Sequence, residues 1–139
     1  MTVGFDLARI AAQRSMDAVR ARAKDDWVAL FAEDALIEDP VGPSHFSPDG
    51  TGHRGKAAIA AFWDASVGIT DRLEFDIRDS FACGEEVANV GVITTTIGGT
   101  TQMDSEGVFV YRVNADGLIV SLRAFWEMDR ALATVRTLS

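Results

Sequence analysis

Val87-Ala88-Asn89-Val90-Gly91-Val92-Ile93-Thr94-Thr95-Thr96-Ile97 is dominated by β-branched residues, and Gly98-Gly99-Thr100 follows it directly. β-Branched side chains suit a pleated, half-buried strand, and paired glycines suit a tight reversal. The run therefore predicts a strand that turns at Gly98-Gly99 into a second one over Gln102-Val113. Asn114-Ala115-Asp116-Gly117 predicts another reversal, into Leu118-Trp126. Upstream, Leu73-Asp79 alternates apolar and polar residues, the pattern of a strand with one wet face. The second half of the chain thus reads as an antiparallel sheet.

The first half reads as helices. Between Phe5 and Ala23, the residues Leu7, Ala8, Ala11, Ala12, Ala18, Val19 and Ala23 recur at helical spacing, with Ser15 on the same stripe. Asp25-Asp26 predicts the start of a second helix with Trp27, Leu30 and Phe31 on its apolar face. A third is predicted from Gly55-Lys56, with Ile59, Phe62 and Trp63 at i, i+3 and i+4. Helices followed by strands predict an α+β fold, with the helices on one face of a curved sheet. At 139 residues the expectation is one domain over 1–139.

The net charge of −8 disfavours nucleic acid and anionic membrane surfaces as partners. Cys83 is the lone cysteine, so no internal disulfide is expected. Without a leader-like start or a long apolar run, the chain reads as cytoplasmic. His45 and His53 fall within Pro43-Arg54, read as an irregular loop that rims or covers a site. Two histidines without further ligands make a poor metal site, and no metal is expected.

One arrangement asks for a chemical reading: Leu36-Ile37-Glu38-Asp39-Pro40-Val41-Gly42. A residue before proline is driven out of the helical region, so this is an extended segment ended by Pro-x-Gly. Adjacent residues on it face opposite ways. Asp39 shares a face with Ile37, which suggests an inward carboxylate with raised pKa, suited to proton transfer. Asp-Pro-x-Gly is equally a turn signature, and pattern alone leaves both readings open. Trp27, Trp63 and Trp126 read as core, Ser15 as a small residue on an alanine stripe, and Arg123 as an outer-face residue.

The segments Ala29-Leu30-Phe31-Ala32-Glu33-Asp34-Ala35, Ile37-Glu38-Asp39-Pro40-Val41-Gly42 and Gly55-Lys56-Ala57-Ala58-Ile59 resemble bacterial ketosteroid isomerases. So do Tyr111-Arg112-Val113-Asn114 and Val120-Ser121-Leu122-Arg123-Ala124-Phe125-Trp126. The resemblance extends to the wider nuclear transport factor two-like, or SnoaL-like, group. It implies a cone-shaped sheet packed against three helices, a homodimer, no cofactor, and a small apolar steroid-like ligand. It places Asp39 on the family's base, and Phe62, Phe109, Tyr111, Leu122, Ala124 and Trp126 on its pocket wall. In the family a tyrosine and a protonated aspartic acid hold the developing oxyanion. Those two positions fall on Ser15 and Phe109, and neither residue supplies the family's donor. The resemblance therefore implies a slow steroid Δ-isomerase. The alternatives are a non-catalytic steroid or lipid binder, or a cyclase, dehydratase or epoxide hydrolase of the same group.

Overall fold

A computed structural model of the chain describes residues 3–138. Helix α1 runs Val3–Arg20. Its buried residues Ala8, Ala11, Ala12, Ser15, Met16 and Val19 form a stripe at helical spacing. Small alanines on that stripe let the helix lie close to the sheet strands it crosses. Helix α2 is short, Lys24–Ala29, and α3 spans Lys56–Ala65 with Ile59, Phe62 and Trp63 buried.

The strands are β1 Phe31–Glu38, β2 His53–Arg54, β3 Arg72–Cys83, β4 Glu86–Ile97, β5 Thr101–Val113, β6 Ile119–Phe125 and β7 Arg136–Thr137. They form one sheet in the order β2-β1-β6-β5-β4-β3, with β7 beside the start of β5. The long strands β3, β4 and β5 are the predicted antiparallel meander. The result is the expected α+β architecture, helices against a curved sheet. On the concave side, inward residues of β4 to β6 meet α1 and α3 around one apolar core.

Curvature shows at two facing glycines. Gly91 of β4 pairs with Gly107 of β5. A Cβ on Gly91 would lie 2.2 Å from the Asp76 carbonyl oxygen, and one on Gly107 2.0 Å from that of Phe125. Only glycine lets neighbouring backbone fold this tightly across the concave face.

Three expectations are corrected. Phe31 is not on helix α2 but opens strand β1, five residues before the extended segment predicted at Leu36. Its ring is fully buried and meets Trp27 edge-on at 4.7 Å. The sheet is not wholly antiparallel, because β1 pairs with β6 in parallel. The Pro43-Arg54 loop ends early: His53 and Arg54 pair with Ile37 and Leu36. Beyond the expected helices lie a 3-10 turn at Val67–Ile69 and helix α4, Met128–Leu132.

Candidate active site

The parallel pairing of β1 with β6 sets the site. Ile37 lies beside Leu122 and Glu38 beside Arg123. Glu38 therefore points outward, where its Oε1 accepts a hydrogen bond from Arg123 Nε at 2.9 Å. Ile37 is fully buried. Asp39, two residues on, emerges on the inner face and reaches a cavity. The Val41 N–H donates to the Ala124 carbonyl at 2.9 Å, tying the chain to β6 past the cis Asp39–Pro40 peptide.

The cavity lies between the helices and the concave sheet, with about 190 Å³ open to the centres of water-sized molecules. Its wall is mostly apolar. Among the described residues, Asp39 and Tyr111 are its only lining residues with a titratable side chain. The Trp126 indole N–H donates to Asp39 Oδ1 at 2.6 Å. Burial pushes the Asp39 carboxyl above the ordinary carboxylate range, and the Trp126 hydrogen bond pulls partly against it. Desolvation wins, which leaves Asp39 poised to hold a proton taken from a ligand.

A second polar group sits at the same end. The Trp27 indole N–H donates to Ser15 Oγ at 3.1 Å. Tyr111 lines the same cavity. Burial, with the nearby Asp39 charge, pushes its pKa up to about 12, against the pull of the neighbouring Ser15 hydroxyl. Tyr111 is thus a neutral hydroxyl at working pH.

The structure brings Asp39, Ser15, Phe62, Phe109, Tyr111, Leu122 and Trp126 together around this cavity. Ala124 does not join them. It shares the inward face of β6 with Leu122, but its single methyl is fully buried and falls short of the wall. Trp126 reads from the sequence as core and by resemblance as pocket wall; it lines the cavity, and its N–H is committed to Asp39. Sequence reasoning missed Phe46, a loop residue that lines the cavity and packs edge-on to Phe62 at 5.7 Å. It missed Val67, Ile69 and Thr70 of the 3-10 turn as well. Neither segment has a periodic signal. His53 stacks on Phe62 at 4.6 Å, and burial lowers its pKa, so it is neutral packing here.

Two expected results follow. Ser15→Ala strips the buried Trp27 N–H of its acceptor, and an unsatisfied buried donor costs about 1–3 kcal/mol. Urea unfolding should show that loss; unchanged stability would mean the Trp27–Ser15 bond is not formed. Trp126→Phe removes the group that holds the Asp39 pKa down. The Asp39 carboxyl should then titrate at higher pH by carbon NMR, and an unmoved titration would exclude Trp126 as Asp39's donor.

Comparison with known proteins shows what the chain is similar to. Residues 12–122 match the SnoaL-like domain. The chain is 35% identical over 126 residues to a steroid Δ-isomerase of Nocardioides simplex, covering 91% of this chain and 94% of that one. The crystal structure of a Δ5-3-ketosteroid isomerase from a Mycobacterium species superposes with a TM-score of 0.84 at 38% identity, covering 94% of this chain and 98% of that one. A Mycobacterium tuberculosis protein, crystallised in complex with estradiol-17β-hemisuccinate, gives 0.83 at 36% identity, over 94% and 98%.

Proposed function

The chain belongs to the SnoaL-like domain family, and from that premise we propose that it moves a carbon–carbon double bond in a steroid-like polycyclic ketone. The observation that carries the reading is Asp39, the one carboxylate among the described residues on the wall of an apolar cavity, with its pKa raised by burial. The likeness to the Nocardioides simplex isomerase supports it.

The chemistry needs only proton transfer. Asp39 takes a proton from the carbon between the ketone and the double bond. The C–H electron pair moves toward the carbonyl, leaving negative charge on its oxygen as a dienolate. The new Asp39 O–H then returns its proton to the far end of the dienolate. The ketone re-forms, the double bond is now conjugated with it, and no electrons are gained or lost. The apolar wall excludes water that would otherwise quench the intermediate. Phe109 donates nothing to the oxyanion, and Ser15 is shorter than a tyrosine. The rate is accordingly expected to fall below that of an isomerase with a full donor pair.

The test is conversion of a 5-ene-3-ketosteroid, followed by the absorbance of the conjugated enone. Turnover above the buffer rate supports the proposal, and it should survive chelator. A phenolic steroid should change tryptophan fluorescence, since Trp27 and Trp126 line the cavity, and should raise Tm. Tight binding with no turnover would favour a carrier of steroids instead. Failure of both measurements would end the steroid reading.

A homodimer through the outer sheet face belongs to the same proposal. Phe81 pairs with Ala88, Ala88 with Val110, Val90 with Val108, and Val108 with Phe125. These cross-strand neighbours share the face opposite the cavity, and Phe81 and Phe125 are 61% and 43% exposed. Such an apolar patch supports burial against a second copy. Sedimentation equilibrium should give twice the 15.0 kDa chain mass, and Phe125→Glu should halve it.

A further inference from the structure

A dienolate oxyanion in a dry cavity needs a hydrogen-bond donor about 3 Å away. Among the described residues, half of the side-chain donors lining the cavity are already committed. The Trp126 N–H goes to Asp39. The Ser66 and Thr70 hydroxyls donate to the Phe62 and Val67 carbonyls at 2.6 and 2.7 Å. Thr95 and Ser105 line the cavity but lie far along the sheet. Ser105 is six residues from Tyr111 on β5, or roughly 20 Å at strand spacing.

Tyr111 is different in place and in wiring. It pairs with Leu122, which pairs with Ile37, so it lies one inward step from the row of Asp39. Behind it stand Ser15 and Trp27. An indole N–H can only donate, so Ser15 Oγ accepts from Trp27 and keeps its own proton to give. Trp27 donates to Ser15; with an oxyanion present, the free Ser15 proton would turn to the neighbouring Tyr111 oxygen, and Tyr111 would donate to the ligand oxygen. Each donation polarises the next.

Resting on the reading of Asp39 as base, we propose that Tyr111 is the donor that holds the ligand oxyanion, oriented by Ser15 and Trp27. The donor needed at the helix α1 position has moved across the cavity to strand β5. A ketone oxygen would then sit at Tyr111, with its neighbouring carbon turned toward Asp39. The high Tyr111 pKa keeps this proton in place across the working pH range.

The tests separate the donor from the base. Tyr111→Phe keeps the ring and removes the hydroxyl. It should lower kcat on a 5-ene-3-ketosteroid by ~10²–10³-fold, with product affinity within about threefold. A nitrophenol, whose phenolate is coloured, probes the donor without turnover. It is titrated against Asp39→Asn, which mimics the protonated base present when the oxyanion exists. Adding Tyr111→Phe should weaken phenolate binding at least tenfold, and Ser15→Ala should weaken it less. Should Tyr111→Phe misfold, fluorotyrosine replaces it: Tyr111 is the sole tyrosine of the chain. Its single fluorine resonance should then shift on phenolate binding.

If the wild type turns over and Tyr111→Phe matches it within threefold, the donor proposal is overturned while Asp39 stands as base. If the wild type is inactive, the isomerase reading fails. The phenolate titration then decides the donor: Tyr111-dependent binding supports it, and equal binding or an unmoved fluorine resonance overturns it.

Discussion

Asp39→Asn is expected to lower kcat on a 5-ene-3-ketosteroid by at least ~10³-fold, within the range a positioned general base contributes. The amide matches the carboxylate in shape and can still accept from Trp126, but it cannot take a carbon-bound proton. Steroid affinity should stay within about tenfold, or ~1.4 kcal/mol. Glu38→Gln is the control. Glu38 points to the other face and pairs with Arg123, so its loss should leave kcat unchanged. A full-rate Asp39→Asn variant would sink the mechanism.

The same substitution should alter how stability depends on pH. The Asp39 pKa is raised in the folded state. The folded chain therefore holds a proton at pH values where the unfolded chain has lost it. Stability falls as pH rises from the unfolded carboxylate value through the folded one. Asparagine has no such proton, so the variant should lack that fall and match or exceed the wild type above it. For activity the sign is opposite, because only ionised Asp39 can act as base. kcat/KM should rise with pH through the raised pKa.

Gly107→Ala should be the most damaging substitution of a single methyl, costing about 3 kcal/mol. Its Cβ would meet the Phe125 carbonyl at 2.0 Å and the Trp126 Cβ at 3.1 Å. Backbone cannot rotate aside as a side chain can, so β5 and β6 must separate. The midpoint of thermal unfolding should drop by roughly 10 °C for a chain of this size. Because the displaced residue precedes Trp126, steroid binding should weaken as well. An alanine variant with wild-type melting would show that the strands are not folded together this tightly.

Legibility in the sequence followed how local each signal was. The meander from Leu73 to Val113 was plain because glycine turns and β-branched runs are local. Helix α3 was plain because Ile59, Phe62 and Trp63 fit a single period. The opposed directions of Glu38 and Asp39 followed from strand alternation. The start of β1 was hidden because Trp27-Val28-Ala29-Leu30-Phe31-Ala32 is apolar throughout and fits helix or strand alike. The parallel pairing of β1 with β6 joins residues 85 apart, as for Glu38 and Arg123, and no local pattern encodes it. The Trp27–Ser15 hydrogen bond and the Tyr111 beside it draw on α2, α1 and β5. Each member looked ordinary alone, and Ser15 looked like a vacancy where a donor should be. Ala124 was placed on the wall by the resemblance, which takes no account of how far a single methyl reaches in this chain.

The cavity mouth has its own consequence. Ile69 and Ile97 line it and are 62% and 44% exposed. An uncharged polycyclic ligand approaching this doorway feels almost no long-range pull from the acidic surface. Its capture is set by collision and by contact with those two side chains, so the association rate should be flat across ionic strength. Sparing solubility then becomes the governing scarcity. On the proposed reading, how fast such a ligand arrives is set by how little of it stays free in water.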